Sequence, residues 1–200
     1  MKKKIFLVGP TASGKTEATK IIFDNFPVEI ISVDSAQIYK GFNIGSAKLK
    51  SNELIKYPHH LVNCKGPCDR YSVNEFQLDV ERVSKKIYKK NKIPILVGGT
   101  MMYFNSLENP LNEMPKSTTE ARKKINDDLN KHGLDEMYKK LSAIDPVIVE
   151  KIKSTDKQRI MRALEVYHIS GKPLSFYHIP KIKPLTNYKL LKVALIPSDK

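Results

Sequence analysis

The sequence predicts an α/β fold, a parallel sheet flanked by helices, with an all-helical segment inserted late in the chain. Three observations predict it. Short apolar runs alternate with segments of helical periodicity through the first half of the chain. The first of those runs ends in a glycine-rich loop, with helical spacing directly after it. From about Pro115 the texture turns charged and helix-rich, and no further strand candidate occurs until Leu190.

Residues 4–8, Lys-Ile-Phe-Leu-Val, form a nearly continuous apolar run of the kind a buried parallel strand needs. Lys2, Lys3 and Lys4 at its start resemble the basic beginning of a leader. The apolar stretch stops at Val8, however, too soon for the hydrophobic region of a signal peptide, so it is read as the first strand. After Lys15, Ala18, Ile21, Ile22 and Phe26 recur at helical spacing, and Pro27 closes that segment. Val28–Val33 is a second apolar run, ending in Asp34. Ser72 and Glu75 make a capping-box pattern, and Val73, Phe76, Val80, Val83 and Ile87 follow at three- and four-residue steps. This predicts an amphipathic helix facing the sheet. It leads into a third run over 93–97, which ends in Gly98-Gly99-Thr100.

In the charged block, Ser117 and Glu120 suggest another capping box. Helices are predicted over 118–131 with Gly133 as the stop, over 134–143, and over 157–169 with Asp156 as the N-cap and Gly171 as the stop. A last strand over 188–196 would rejoin the first sheet. The expected organisation is therefore an α/β core over 1–115, a helical insertion over 116–180 and a returning strand over 181–200.

With 200 residues, 40% of them hydrophobic and 28% charged, the composition is that of a globular protein, and it excludes a disordered or membrane-spanning chain. Thirty-five Lys plus Arg against 21 Asp plus Glu leave a net charge of +14, which would attract a polyanion such as nucleic acid. High lysine with low alanine is also what an AT-rich genome would encode. Cys64 and Cys68, with His59 and His60 upstream, superficially offer zinc ligands, but the C-x-x-x-C spacing is wrong for a zinc knuckle. Two reduced thiols in a surface loop are the expectation.

The chemistry centres on Gly9-Pro10-Thr11-Ala12-Ser13-Gly14-Lys15-Thr16, a G-x-x-x-x-G-K-[ST] loop between a strand and a helix. In such a P-loop, backbone N–H groups and the helix N-terminus enclose a phosphate. The lysine adds a point charge, and the Thr16 hydroxyl can ligate Mg²⁺. A GTPase would also need D-x-x-G and N-K-x-D elements, and neither occurs. Asp34 lies at the carboxyl end of the next strand in sequence, where open α/β sheets bring their ligands, so it could meet the phosphate site or a substrate proton.

The run Asp34-Ser-Ala-Gln-Ile-Tyr-Lys-Gly-Phe-Asn-Ile-Gly-Ser-Ala-Lys48 after that loop resembles the tRNA dimethylallyltransferases, which prenylate an adenosine beside the anticodon. Tyr57-Pro-His-His-Leu61, Gly98-Gly-Thr-Met-Met-Tyr103, Asp156-Lys-Gln-Arg-Ile-Met-Arg162 and Ser170-Gly-Lys-Pro-Leu-Ser175 follow in the family's order. Ser46, Leu49, Met101 and Lys157 depart from its common residues without altering charge or hydroxyl chemistry.

The resemblance implies a P-loop NTPase-like core whose loop holds the diphosphate of dimethylallyl diphosphate as a leaving group. It implies Mg²⁺ at Thr16, catalytic roles for Asp34, Lys15, Thr16 and Thr100, and Asp34 as the base at adenine N6. It also implies tRNA contacts at Asp34, Ser35, Ala36, Gln37, Thr100, Arg122, Gln158, Arg159, Ile160, Met161 and Arg162. The partners are then tRNA and the prenyl diphosphate, and the expected protein is a cytoplasmic monomer without membrane attachment. The family normally continues well beyond the equivalent of Lys200, so apolar surface exposed on one sheet face is a further expectation. Two alternatives stand beside this reading: a P-loop kinase acting on a nucleoside or sugar, and a tRNA-binding remnant without turnover.

On the helix beginning at Lys157, Ile160, Ala163, Leu164 and Tyr167 read as the apolar stripe. Gln158 and Arg162, with Arg159 at their flank, would then be left to meet phosphate or base.

Overall fold

In the computed structural model, which describes residues 2–109, 114–178 and 188–197, the chain forms two compact units. One comprises Met1–Pro110 with Lys183–Lys200, the other Leu111–Ile182. The first boundary lies a few residues before the expected 115/116. Met114 packs on the helical core and the Pro115 carbonyl accepts a hydrogen bond from Arg162, so both belong with the helices.

The first unit is built on strands β1 (Lys2–Val8), β2 (Val28–Val33), β3 (His59–His60), β4 (Ile93–Gly98) and β5 (Tyr188–Ala194). They form one sheet in the order β3-β2-β4-β1-β5, every adjacent pair parallel. Parallel neighbours cannot be joined by a hairpin, so helices cross over both faces. Helix α1 (Lys15–Asn25) covers one face, where Ala18, Ile22 and Phe23 pack on Leu7, Ile30 and Ile95. Between β2 and β3 lies the short helix α2 (Ser51–Lys56). Helices α3 (Val73–Lys89) and α4 (Met101–Glu108) cover the opposite face, setting Phe76, Val80, Val83, Ile87, Tyr103 and Phe104 against Phe6, Ile31, Val33 and Leu96. Every residue of β2 is buried, Glu29 and Ser32 among them, as a central strand covered on both faces requires.

Local signals set the ends of these elements. At the start of α3 the Ser72 hydroxyl accepts from the Glu75 N–H at 3.2 Å, and the Glu75 carboxylate accepts from the Ser72 N–H at 2.8 Å. Strand β5 pairs with β1 from Lys2↔Tyr188 to Val8↔Ala194, so the predicted last strand does rejoin the sheet. It stops two residues short of Ile196, although the Leu195 N–H still bonds the Val8 carbonyl at 2.8 Å. Leu191 and Val193 on β5 remain exposed.

The second unit contains helices α5 (Thr119–Ile144), α6 (Pro146–Val149), α7 (Lys157–Ser170) and α8 (Leu174–Tyr177) around Ile125, Leu129, Met137, Leu141, Ile148, Ile160, Ala163 and Leu164. Gly133, at φ 79° and ψ 169°, breaks α5 where the sequence reading places a stop. Asp156 caps α7 by accepting from the Arg159 N–H, and Gly171 ends it in the left-handed region at φ 66°.

Two expectations in this unit are corrected. The N-cap of α5 is Thr118, which accepts from the Ala121 N–H, while the Ser117 hydroxyl is bonded to Glu165 instead. Tyr167 does not close the apolar stripe of α7: it is exposed, and Glu165 and Val166 are buried. The core meets this helix further round its circumference than the apolar spacing alone implies.

Candidate functional site

The phosphate loop runs from Gly9 to Gly14 between β1 and α1. Ala12 at φ 64° and Gly14 at φ 84° are both left-handed, and these alternate residues curl the backbone on itself immediately before the helix N-terminus. For Gly14 this conformation is free of steric cost; for Ala12 it costs on the order of 1 kcal/mol, strain of the kind that gathers at functional loops. Gly9 is required by close approach, because a Cβ there would stand 2.7 Å from the Ser13 hydroxyl and against the Leu195 carbonyl.

Lys15, in the first turn of α1, folds back over the loop. Its ammonium donates to the Gly9 carbonyl at 2.8 Å, to the Pro10 carbonyl and to the Ser13 hydroxyl at 3.4 Å. Burial lowers this ammonium from the ordinary lysine range, while the negative charge of Asp34 pulls it back up. Thr16, the next residue, is exposed at the helix N-terminus.

The sheet order brings Asp34 and Thr100 to this loop. Strand β4 lies between β1 and β2, and Gly98 is paired with Val8 on one side and Val33 on the other. A side chain at Gly98 would collide with the Val33 carbonyl, and one at Gly99 would reach to 3.3 Å from the Gly9 carbonyl. The two glycines therefore let three strand ends close together. Beyond them the Thr100 N–H bonds the Val33 carbonyl at 3.4 Å, and its hydroxyl accepts from the Ser35 N–H at 3.3 Å.

Asp34 Oδ1 accepts from the backbone N–H of Ala36 at 2.8 Å and of Gln37 at 3.1 Å, which turns the chain sharply after β2. The other carboxylate oxygen, Oδ2, has no hydrogen bond among the described residues. Gln37 is itself tethered, its amide donating to the Ser46 carbonyl at 3.1 Å. Ser35 is exposed, and Ala36 and Gln37 are half-buried.

Sequence reasoning gave no separate role to Lys48, the last residue of the run that begins at Asp34. Its ammonium donates to the Tyr39 carbonyl at 2.7 Å and to Asn63 Oδ1 at 2.8 Å, holding the loop over 40–47. Burial lowers Lys48 too, and the charge of Asp34 opposes the shift. One carboxylate thus lies in the field of two lysines. The only signal in the sequence was a basic residue closing a run that already held the aspartate.

In the helical unit, Arg122, Gln158, Met161 and Arg162 line one cavity of about 510 Å³, together with Asn126 and Lys157. Of the expected nucleic-acid contacts, Ile160 is drawn into the core, while Arg159 and Arg162 are held by protein partners. Ile160 is fully buried and its side chain serves the helical core. Arg159 is exposed but paired with Asp156 at 2.6 Å and does not line that cavity. Arg162 is not left to solvent: it donates to Glu165 at 3.3 Å and to the Pro115 carbonyl at 2.8 Å.

The cysteine and histidine cluster is dispersed in function. Cys64 and Cys68 are exposed free thiols, His59 Nδ1 lies 2.7 Å from the Tyr57 carbonyl, and His60 Nε2 lies 2.9 Å from Glu29. Among the described residues no group of three or more His, Cys, Asp or Glu side chains could hold a metal, and no helix is long and apolar enough to cross a membrane.

Comparison with known proteins matches residues 37–200 to the IPP transferase family model. The tRNA dimethylallyltransferase of Legionella pneumophila (strain Paris) is 44% identical over 202 residues, spanning 100% of this chain and 64% of the relative. That of Vesicomyosocius okutanii subsp. Calyptogena okutanii is 45% identical over 196 residues, spanning 98% and 64%. A solved eukaryotic dimethylallyltransferase acting on tRNA superposes with a TM-score of 0.81 at 30% identity, covering 99% of this chain and 49% of the other. The tRNA isopentenylpyrophosphate transferase of Bacillus halodurans gives 0.54 at 34% identity over 86% of this chain and 57% of the other. The chain therefore spans just under two thirds of the length of these curated relatives.

Proposed function

Because this chain belongs to the IPP transferase family, we propose that it takes part in moving a dimethylallyl group from dimethylallyl diphosphate to N6 of a tRNA adenosine next to the anticodon, with release of diphosphate. One observation carries the reading: a carboxylate with one oxygen held by two backbone N–H groups, and the other unbonded among the described residues, stands in the field of the P-loop lysine.

The exocyclic nitrogen of adenine is a weak nucleophile, since its lone pair is delocalised into the ring. In the proposed step the bond from the allylic carbon to the diphosphate oxygen breaks as the bond to N6 forms. The proton released from N6 passes to Asp34 Oδ2. Charge developing on the departing diphosphate is met by loop N–H groups, the N-terminus of α1 and the Lys15 ammonium. To reach it, that ammonium exchanges the carbonyls of Gly9 and Pro10 for phosphate oxygens. Thr100 contributes by fixing the Ser35 N–H and hence the turn that aims Asp34.

The donor set fits Mg²⁺. The exposed hydroxyl of Thr16 is a hard oxygen donor, and Mg²⁺ ordinarily completes its shell with water and substrate phosphate rather than an all-protein cage. Bound there, the ion would neutralise part of the diphosphate charge. The tRNA partner agrees with the +14 charge and with the arginines around the helical cavity. Such a substrate would be met in the cytoplasm.

The test offers the protein labelled dimethylallyl diphosphate with unmodified tRNA, and in parallel ATP with a panel of nucleosides and sugars. Label retained in tRNA and sensitive to Asp34→Asn supports the proposal. Phosphorylation of a small molecule, or tRNA without label, overturns it.

A further inference from the structure

Glu165 lies on α7 among its buried residues, 5% exposed, yet it is a carboxylate. Its two oxygens are engaged on different partners. Oε1 accepts from the Ser117 hydroxyl, and Oε2 accepts from Arg162 Nη1 at 3.3 Å. The Ser117 oxygen in turn accepts from Arg122 Nη2 at 2.9 Å, while Arg162 Nη2 donates to the Pro115 carbonyl at 2.8 Å. A serine hydroxyl can donate one bond while accepting others, so the chain from Arg122 through Ser117 to Glu165 is consistent in direction. All of these residues lie within the helical unit, and Arg122, Arg162 and Glu165 line the same 510 Å³ cavity with Lys157, Gln158 and Asn126.

A buried carboxylate is a poor way to stabilise a helical core, because desolvation offsets most of what the ion pair gains and an apolar residue of similar volume would do as well. Nearby Ile160, Ala163, Leu164 and Val166 show that this part of α7 is otherwise apolar core. A local rule broken in this way indicates a task other than stability. The arrangement suits the orientation of cations. It fixes the plane of Arg162 with two bonds and restrains Arg122 with one, and an arginine has five N–H donors, so others stay available to a ligand.

We propose that Glu165, acting with Ser117, is a positioning residue that holds Arg162 and Arg122 in place to meet phosphates of a bound RNA at this cavity. The inference rests on the tRNA reading above. Neither residue touches the RNA. They act by reducing the rotamer freedom that two long arginine side chains would otherwise lose on binding.

Two measurements on the full 200-residue chain test this, and the first is independent of RNA. Side-chain order of Arg122 and Arg162 is measured by ¹⁵N relaxation in wild type, Glu165→Gln and Ser117→Ala. Positioning requires both arginines to loosen in Glu165→Gln and Arg122 alone to loosen in Ser117→Ala. Unchanged order in both variants, in chains that still fold by circular dichroism, overturns the proposal.

The second measurement is the affinity for an unmodified anticodon stem-loop RNA as a function of salt. Glu165→Gln should bind about tenfold more weakly, and the slope of log K against log salt should fall by roughly 0.7 to 0.9 for each phosphate that the arginines no longer neutralise. Ser117→Ala should weaken binding no further in an Arg122→Ala background, since it acts through that side chain. Wild-type affinity and slope in both variants would overturn the proposal even if the arginines had loosened. If the wild-type chain shows no salt-dependent RNA binding, the tRNA reading falls and this role falls with it, whereas the relaxation data still report whether the network orders the arginines.

Discussion

Replacing Asp34 with asparagine and, separately, with alanine divides two jobs that one carboxylate performs. Oδ1 accepts from the N–H groups of Ala36 and Gln37, at 2.8 and 3.1 Å, and so holds the turn after β2. Asparagine keeps an oxygen at that position and alanine does not. By analogy with the loss of a helix N-cap, Asp34→Ala should cost about 1 to 2 kcal/mol. In a chain of this length each kcal/mol is worth roughly 2 to 4 °C in Tm, so alanine should lower Tm by about 2 to 8 °C. Asparagine loses only the charge felt by Lys15 and Lys48, in a half-buried setting, and should stay within about 1 kcal/mol of wild type.

Prenyl transfer should separate the two variants from wild type by a different measure. An amide cannot take the N6 proton, so Asp34→Asn should reduce turnover on the order of a hundredfold, equivalent to about 2.7 kcal/mol of barrier, with RNA affinity changed only a few-fold. Single-turnover transfer of labelled dimethylallyl to tRNA at saturating donor, alongside thermal melts, gives both numbers. Turnover within threefold of wild type in Asp34→Asn would refute the base role. An unchanged Tm in Asp34→Ala would refute the turn-holding role.

Two further outcomes follow from the first unit. Gly98→Ala should destabilise by about 3 kcal/mol or more, because its methyl group meets the Val33 carbonyl and neither strand can withdraw without breaking pairs on both sides; a chemical melt within 1 kcal/mol of wild type would contradict that packing. Glu29 is nearly buried in β2. Burial pushes its carboxyl up, but hydrogen bonds from Lys90 and His60 with the charge of Lys92 outweigh this and leave it below the usual glutamate range. A depressed folded pKa gives stability that is complete above the unfolded value and is lost as pH falls through the folded one. Glu29→Gln should therefore cost about 2 kcal/mol at pH 7, and its deficit should shrink as pH falls below about 4. An equal deficit at pH 7 and pH 3 in urea melts would show that the charge is not the cause.

Local readings carried far because they depended on neighbours in the chain. The capping box of Ser72 with Glu75, the Asp156 cap and the stops at Gly133 and Gly171 are fixed by groups a few residues apart in the chain. The choice between Ser117 and Thr118 as the cap of α5 was not decidable in that way. Both are hydroxyl residues before a helix, and the partner that claims Ser117 is Glu165, 48 residues later. Ile160 shows the converse. It falls within a matched motif that the resemblance assigns to RNA, but helical spacing had already set it in the apolar stripe, and the core takes it.

The sequence by itself determined the phosphate loop, β1, β2, β4 and β5 with α1 and α3, and the family, since these rest on short-range spacing and backbone chemistry, whereas α2, β3 and α4 were not read from it. Tertiary structure alone decided that β4 lies between β1 and β2, because strand order depends on which apolar faces pack rather than on order along the chain. That insertion is what places Gly98 between Val8 and Val33 and carries Thr100 to the turn that aims Asp34. It also decided which polar groups would be buried. The pairing of Lys48 with Tyr39 and Asn63, and of Glu165 with Ser117 and Arg162, exists because desolvated charge must find partners wherever the fold supplies them.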